Sequence, residues 1–449
     1  MAHVYKIKYG HPAAGWSYID LTDYYHGIVD YVPGTPLEGA DDITESGVFR
    51  IANISISSMI SAIEAIEDVF HQAKEYDDDP IGVFEVWLTL QVSGGDGSTW
   101  ESQIFEGRVE LPADTLGANW SNNFVEATII WRRTAWWRCS YAIYTTNANQ
   151  TIANVNAPHV FNNNDQVGAN PNIHTNSMDI AVPLMGGDMR APAMFRFNFT
   201  GGSAIDKVLI LHNAKANPGN FPATFAYHFE GETGSGDTGD GTRSNSLYHT
   251  YVIPAGTSGS NIQWSTNPAA YGFWIRCLIS AKFSGTVKVR PYLLINGVFY
   301  YGPTSIVSSG GSAFELSDLG MLKCPSIDPD MGGYNLFNSI SYGINVVCAA
   351  GINFSLDYVE FPPVDSFAAI TLDSGLNSGE YLYVNSLTGQ AFGMYSNGLI
   401  KTMATMVGGI YLEPNMTQRL YFKFSSGKVD DLSIECYPTI TCWQMRKTL

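Results

Sequence analysis

Gly379-Glu380-Tyr381-Leu382-Tyr383-Val384-Asn385 reads as a strand, Leu387-Thr388-Gly389 as a turn, and Gly393-Met394-Tyr395-Ser396-Asn397-Gly398 as a second strand ending in another turn. Ile410-Tyr411-Leu412-Glu413-Pro414-Asn415 then makes a corner, and Gln418-Arg419-Leu420-Tyr421-Phe422-Lys423-Phe424 closes the run by alternating polar and apolar residues. A repeat of two places successive side chains on opposite faces, which suits a half-buried strand and not a helix.

The same punctuation extends through the chain. Gly, Asn, Ser and Thr are plentiful, aromatic residues reach 13%, and apolar residues make up 45% of the 449 positions. Such a mixture suits short strands joined by tight turns. The length exceeds what one β core fills, so several domains are expected.

Residues 1–145 read as a β-barrel or split sandwich with one α-helix. Strands are expected at Val4–Tyr9, Ile28–Val32 and Phe49–Ile56. Met59, Ile63, Ile66 and Phe70 then form one apolar stripe at helical spacing, with Ser57 or Ser58 as the cap and Asp77-Asp78-Asp79-Pro80 as the stop. Phe84, Val86, Leu88, Leu90 and Val92 alternate with polar residues. Gly94-Gly95-Asp96-Gly97 turns them into the partner strand Trp100–Val109, and Val125–Arg132 follows.

Residues 146–185 lack periodicity and read as an extended arm. Strand-like runs recur across 186–365, at Met194–Phe199, Ile205–His212, Ala223–Phe229, Tyr248–Ile253, Phe273–Ser280, Thr286–Ile295 and Ile352–Phe361, which predicts a jelly-roll-like β-sandwich. Residues 366–449 form the C-terminal β-unit already quoted. The fold class is mainly β.

That closing unit resembles the last β-unit of distal-tail and tail-tip proteins of long-tailed bacteriophages. The helix-bearing N-terminal region is similar to their ring-forming belt domain. Gly187-Asp188-Met189-Arg190-Ala191-Pro192 and Phe354–Pro363 resemble the borders of a carbohydrate-binding-module-like insertion. The resemblance implies a structural virion protein at the phage tail tip, made in the host cytoplasm. It would form a homo-hexameric ring, or a trimeric one, joining the tail tube to hub, fibre or receptor-binding proteins, and contact glycans on the host surface. The alternative is a stand-alone carbohydrate-binding or polysaccharide-degrading protein.

The residues point away from several other classes. A net charge of −18 opposes binding to nucleic-acid phosphates, and no apolar run is long enough to span a membrane. No Gly-x-Ser-x-Gly elbow, phosphate-cradling Gly-Lys-Ser/Thr loop or HExxH occurs, so no enzyme, cofactor or catalytic residue is expected. Asp77–Asp79, and Asp237 with Asp240, are acidic loops without the ligand spacing of a calcium loop, and no metal is expected. His212, His228 and His249 fall in or beside sandwich strands. The six cysteines lack CxxC spacing and read as reduced core residues, with Cys436 and Cys442 near enough for a hairpin bridge.

Two aromatic groups are the candidate sites. Trp136 and Trp137 are adjacent, so on a strand one of them points away from the core, which makes them candidates for a subunit interface. Trp264, Tyr271 and Trp274 in the sandwich are candidate platforms for stacking sugar rings, set against the ordinary role of large aromatics as core.

Overall fold

A computed structural model describes residues 4–11, 15–22, 26–35, 42–52, 55–78, 84–91, 99–111, 124–139, 144–146, 177–180, 189–201, 204–213, 228–231, 236–243, 246–266, 274–295, 297–323, 340–414, 418–430, 434–443 and 445–446. The fold is mainly β with a single α-helix among these residues. They divide into two units, the first from 1–143, 186–189 and 443–449, the second from 144–185 and 190–442.

The first unit is a nine-stranded sheet. Its path runs Gly15–Asp20, Val4–His11, Glu85–Gln91, Thr99–Glu110, Phe124–Thr134, Asp42–Ala52, His26–Asp30, with the short strands Trp137–Cys139 and Met445–Arg446 branching from Thr99–Glu110. Register shifts between Ile104 and Glu106 bend that long strand. The sheet curls enough for Tyr5, near one edge, to meet Tyr31, near the other, with ring centroids 5.3 Å apart.

The helix Ile56–Asp78 covers the sheet with the stripe read from the sequence. Met59, Ile63, Ile66 and Phe70 are all buried, joined by Val69 and Ala73. Its cap differs from expectation. Ser55 Oγ accepts from the Ser58 amide at 3.2 Å, so the helix starts earlier than Ser57 or Ser58 implied. Phe70 lies over Gly107, where a β-carbon would come 2.8 Å from the ring.

In the second unit, strands of the expected C-terminal region do not stand alone. Met194–Gly201 and Ile205–Asn213, read above as the start of the sandwich, hydrogen-bond into a ten-stranded sheet with Ser366–Leu376, Tyr381–Asn385, Gln390–Met394, Ile400–Gly409, Gln418–Ser425 and Glu435–Cys442. Tyr144–Thr146 and Ser177–Ile180 add strands at its edges. The sheet curls on itself. Phe195, Phe197 and Phe199 stack along one strand, and Phe422 stands edge-on to Phe197 at 5.6 Å although five strands separate them along the sheet.

Ala191–Pro192 and Tyr411–Leu412 pair only with each other, and the other strands make a sandwich. A six-stranded sheet centres on Ile352–Glu360 and Trp274–Lys282. A five-stranded sheet runs Ser260–Thr266, Ile340–Cys348, Ser284–Ile295, Val298–Tyr301, with Ser305–Gly310 also paired to Ser284–Ile295. Ile275, Cys277, Ile279, Val287, Val289, Leu293, Ile344 and Val346 are among the residues that fill the space between them. Trp274–Lys282 and Ile352–Glu360, at the centre of the six-stranded sheet, are buried on both faces along most of their length.

Cys139, Cys277, Cys348, Cys436 and Cys442 are buried free thiols, and Cys324 lies outside the described residues. Cys436 and Cys442 sit on one strand and form no bridge.

Candidate functional site

Four consecutive large hydrophobic residues, Val298, Phe299, Tyr300 and Tyr301, are all exposed on the short strand that rims the five-stranded sheet. A two-residue hairpin sets their register. Ile295 pairs with Val298, and Gly297 takes a φ of 82°, a left-handed conformation that glycine adopts without a steric cost. Tyr292 and Leu294 consequently lie opposite Tyr301 and Phe299, and these four side chains share the outer face.

The rings on this face are ordered. Phe299 and Tyr301 are parallel with centroids 5.6 Å apart, and Tyr292 stands edge-on to both. Tyr292 is fully buried because its ring lies across Gly343 on the neighbouring strand, where a β-carbon would fall 2.2 Å from Cζ. Its hydroxyl donates toward Ile262 O at 3.4 Å. Burial pushes the Tyr292 phenol up to about 12, so it stays a neutral donor at ordinary pH. Gly343→Ala should expel the ring, lower stability by about 1–3 kcal/mol, and disorder Phe299 and Tyr301. Thermal unfolding together with tyrosine fluorescence would read both effects.

Cations flank the rings. The Arg290 guanidinium lies 3.7 Å from the Tyr301 centroid, and its Nε donates to Asn345 Oδ1 at 3.3 Å. Asn345 is held in turn, its Nδ2 donating to Asn261 Oδ1 at 2.7 Å and Ser258 O at 3.2 Å. Arg290, Asn345, Lys288, Thr257, Thr304 and Val347 line a pocket of about 310 Å³. No carboxylate belongs to that lining.

A second exposed face lies on the ten-stranded sheet. Arg196, Tyr383, Phe392 and Met403 are register partners across four strands, and Tyr381 and Met394 pair in the next row. Tyr383 and Phe392 have centroids 4.9 Å apart, and the Arg196 guanidinium covers Tyr381 at 4.1 Å. Met403 is 50% exposed and Val407 58%. Tyrosine, phenylalanine, methionine and arginine are the side chains that protein interfaces favour.

The titratable clusters serve the interior. In the first unit, Glu45 accepts from Arg133, from the Tyr31 hydroxyl at 2.6 Å, from Trp131 Nε1 at 3.1 Å and from the Gly34 amide at 2.8 Å. In the second, Glu360 meets Lys423 Nζ at 2.8 Å and His228 Nδ1 at 3.0 Å. The three histidines do not converge. His228 partners Glu360, His249 Nδ1 meets Asp237 at 2.8 Å, and His212 bonds Ser366 and Gln418. Asp240 accepts from the amide and hydroxyl of Thr242. Among the described residues no three potential ligands group to hold a metal ion.

The expected site residues separate. Trp137 is buried in the first unit beneath Arg133, whereas Trp136 is half-buried in the bend that precedes the strand Trp137–Cys139, so strand alternation does not govern it. Trp264 turns inward, stacks on Phe229 and donates Nε1 to Glu230 O at 3.0 Å, so it belongs to the core. Trp274 is 50% exposed on the other sheet, and Tyr271 lies outside the described residues. The sequence reading missed Phe299, Tyr301 and Arg290. Asn296-Gly297 between Ile295 and Val298 is the hairpin signal that would have located the rim strand.

No family model matches the sequence, and no curated protein does. Solved structures with some likeness include the phage p2 baseplate in its activated conformation with strontium, at 9% identity and a TM-score of 0.20 over 79% of this chain and 98% of that one. The same baseplate with calcium gives 9% and 0.17 over 80% and 98%. The T13 IBDV viral particle gives 7% and 0.16 over 57% and 64%. Likenesses this slight transfer neither fold nor function.

Proposed function

We propose that the protein is a non-enzymatic structural component of a phage tail tip. It assembles into a ring of six copies, or of three, and links the tail tube to hub or fibre proteins, while its sandwich turns the aromatic rim toward sugar chains on the host. The observation that carries the assembly half is the Arg196–Tyr383–Phe392–Met403 row, an organised apolar face with Met403 and Val407 open to solvent. A monomer that kept this face in water would hold an unfavourable contiguous apolar patch. The resemblance of the closing strands to tail-tip proteins supplies the context. Trp136, half-buried in its bend, is a further aromatic candidate for a contact in the first unit.

Native mass spectrometry of the full chain provides the test. The wild type is expected as a closed multimer, and Met403→Glu with Val407→Glu should shift it toward single chains, since each buried carboxylate would lack a partner. A wild type that is solitary at micromolar concentration and missing from particles would overturn the reading. The stand-alone glycan-binding alternative is favoured by one feature, the ordered aromatic rim of the sandwich. It predicts such a solitary species together with retained sugar binding.

A further inference from the structure

We infer that the outer face of the five-stranded sheet is a site for an acidic polysaccharide whose pyranose rings carry carboxylates, a uronate chain. This deepens the proposed contact between the sandwich and host sugars, and rests on it. Three observations meet at one place. Phe299 and Tyr301 are 39% and 42% exposed and, apart from the Tyr301 face that Arg290 covers, offer apolar ring surface of the kind that stacks on a pyranose. Arg290 belongs both to this strip, through its stack on Tyr301, and to the adjoining pocket, so ring surface and pocket are continuous. That pocket presents Lys288 and Arg290 with Thr257, Thr304 and Asn345 and no acid, on a chain whose acids outnumber its lysines and arginines, 42 to 24.

The cations are available. Among the described residues neither Lys288 nor Arg290 pairs with a carboxylate, whereas Arg133, Arg276, Lys401 and Lys423 each do. Arg290 spends Nε on Asn345, and Asn345 is itself anchored twice. The guanidinium is therefore held before any ligand arrives, which lowers the ordering cost of binding. A planar guanidinium fits a carboxylate with two parallel hydrogen bonds.

Ligand chemistry follows from the pairing of surfaces. A neutral polysaccharide would use the rings and leave two cations unmatched. A polyol phosphate would satisfy the cations and leave the rings without a sugar face. A uronate chain satisfies both at neighbouring positions.

The experiment is titration calorimetry of the full-length protein with polygalacturonate, dextran and poly(glycerol phosphate), each at low and high salt. Polygalacturonate should bind at least roughly tenfold more tightly than the other two, and added salt should weaken it. Lys288→Gln with Arg290→Gln should lose roughly tenfold of that affinity, and Tyr301→Ala a similar amount, with circular dichroism unchanged. Equal affinity for dextran, or no effect of the double charge variant, would overturn the uronate assignment while leaving a sugar-contacting face. Binding of poly(glycerol phosphate) alone would overturn it in favour of a simple anion site. Failure of a folded protein to bind any of the three polymers would overturn the assignment and the glycan-contact reading together, without touching ring assembly.

Discussion

Lys423→Met is expected to destabilise the second unit by about 3–5 kcal/mol. Lys423 and Glu360 are 2% and 4% exposed, and Nζ meets the carboxylate at 2.8 Å while lying 4.5 Å from the Tyr358 ring centroid. Removing the ammonium takes away the largest charge opposing the buried Glu360 carboxylate and leaves it to His228. The double variant Lys423→Met with Glu360→Gln should regain a large share of the loss, because a neutral amide still bonds His228 and no unpaired charge is buried. Chemical denaturation followed by amide hydrogen exchange in the strands Ile352–Glu360 and Gln418–Ser425 would read this. A loss below about 1 kcal/mol, the level of a surface pair, would mean that the site is wetter than its burial implies.

Glu45→Ala is expected to cost the first unit a comparable about 3–5 kcal/mol. Arg133 is fully buried, and Glu45 is its carboxylate partner. The same substitution strips acceptors from Tyr31, Trp131 and the Gly34 amide. These groups bridge the strand Asp42–Ala52, the strand Phe124–Thr134 and the segment after His26–Asp30, so their loss loosens the edge where the sheet curls shut. Denaturation monitored by tryptophan fluorescence should show an earlier transition for the first unit, with the second unaffected.

Acid sensitivity follows from the same groups. Burial acts to raise the Glu45 and Glu360 carboxyls, but the facing Arg133 and Lys423 charges and their hydrogen bonds outweigh it and hold both below 4.5. A lowered carboxylate contributes stability above its unfolded value, and that contribution disappears as pH falls through the folded one. Burial lowers His212 to about 4 from 6.5, so the fold holds the neutral ring. As pH drops from 6.5 toward 4 the unfolded chain takes up a proton that the folded one refuses, and stability falls. His212→Gln should erase that part of an unfolding-versus-pH curve while leaving the steeper fall below 4.5.

Local pattern carried the helix and little of the long-range arrangement. Met59, Ile63, Ile66 and Phe70 lie within a few turns of one another, so spacing alone put them on one face, and all four are buried. The cap was displaced because several serines adjoin at 55–58, and only the Ser55 hydrogen bond distinguishes them. Val86, Leu88 and Leu90 were legible as an inner face. Trp87 is buried as well because Arg138 lies 3.6 Å over its ring, a contact from a distant strand.

The sites were harder to read. Val298–Tyr301 is too short to show alternation, and all four of its residues face solvent, so period two had nothing to contrast. The union of Met194–Asn213 with strands beyond Ser366 depends on pairing across an intervening sandwich, which no window of sequence contains. Glu360 and Lys423 likewise meet across a long chain separation, with no motif to announce them. The tryptophans of the sandwich drew attention by size, and Trp274 is exposed, whereas the ordered ring row is a phenylalanine and tyrosines on a hairpin rim.

The strand Met445–Arg446 pairs with Trp137–Cys139, so the first unit includes residues from both sides of the second. On the ribosome its first 139 residues emerge long before this partner does. The nascent sheet must wait, with one flank unpaired, while the whole inserted unit is translated. Newly made chains should therefore depend on holding factors until residues 443–446 emerge, and a fusion that tethers or occludes those residues should harm the sheet translated before the inserted unit.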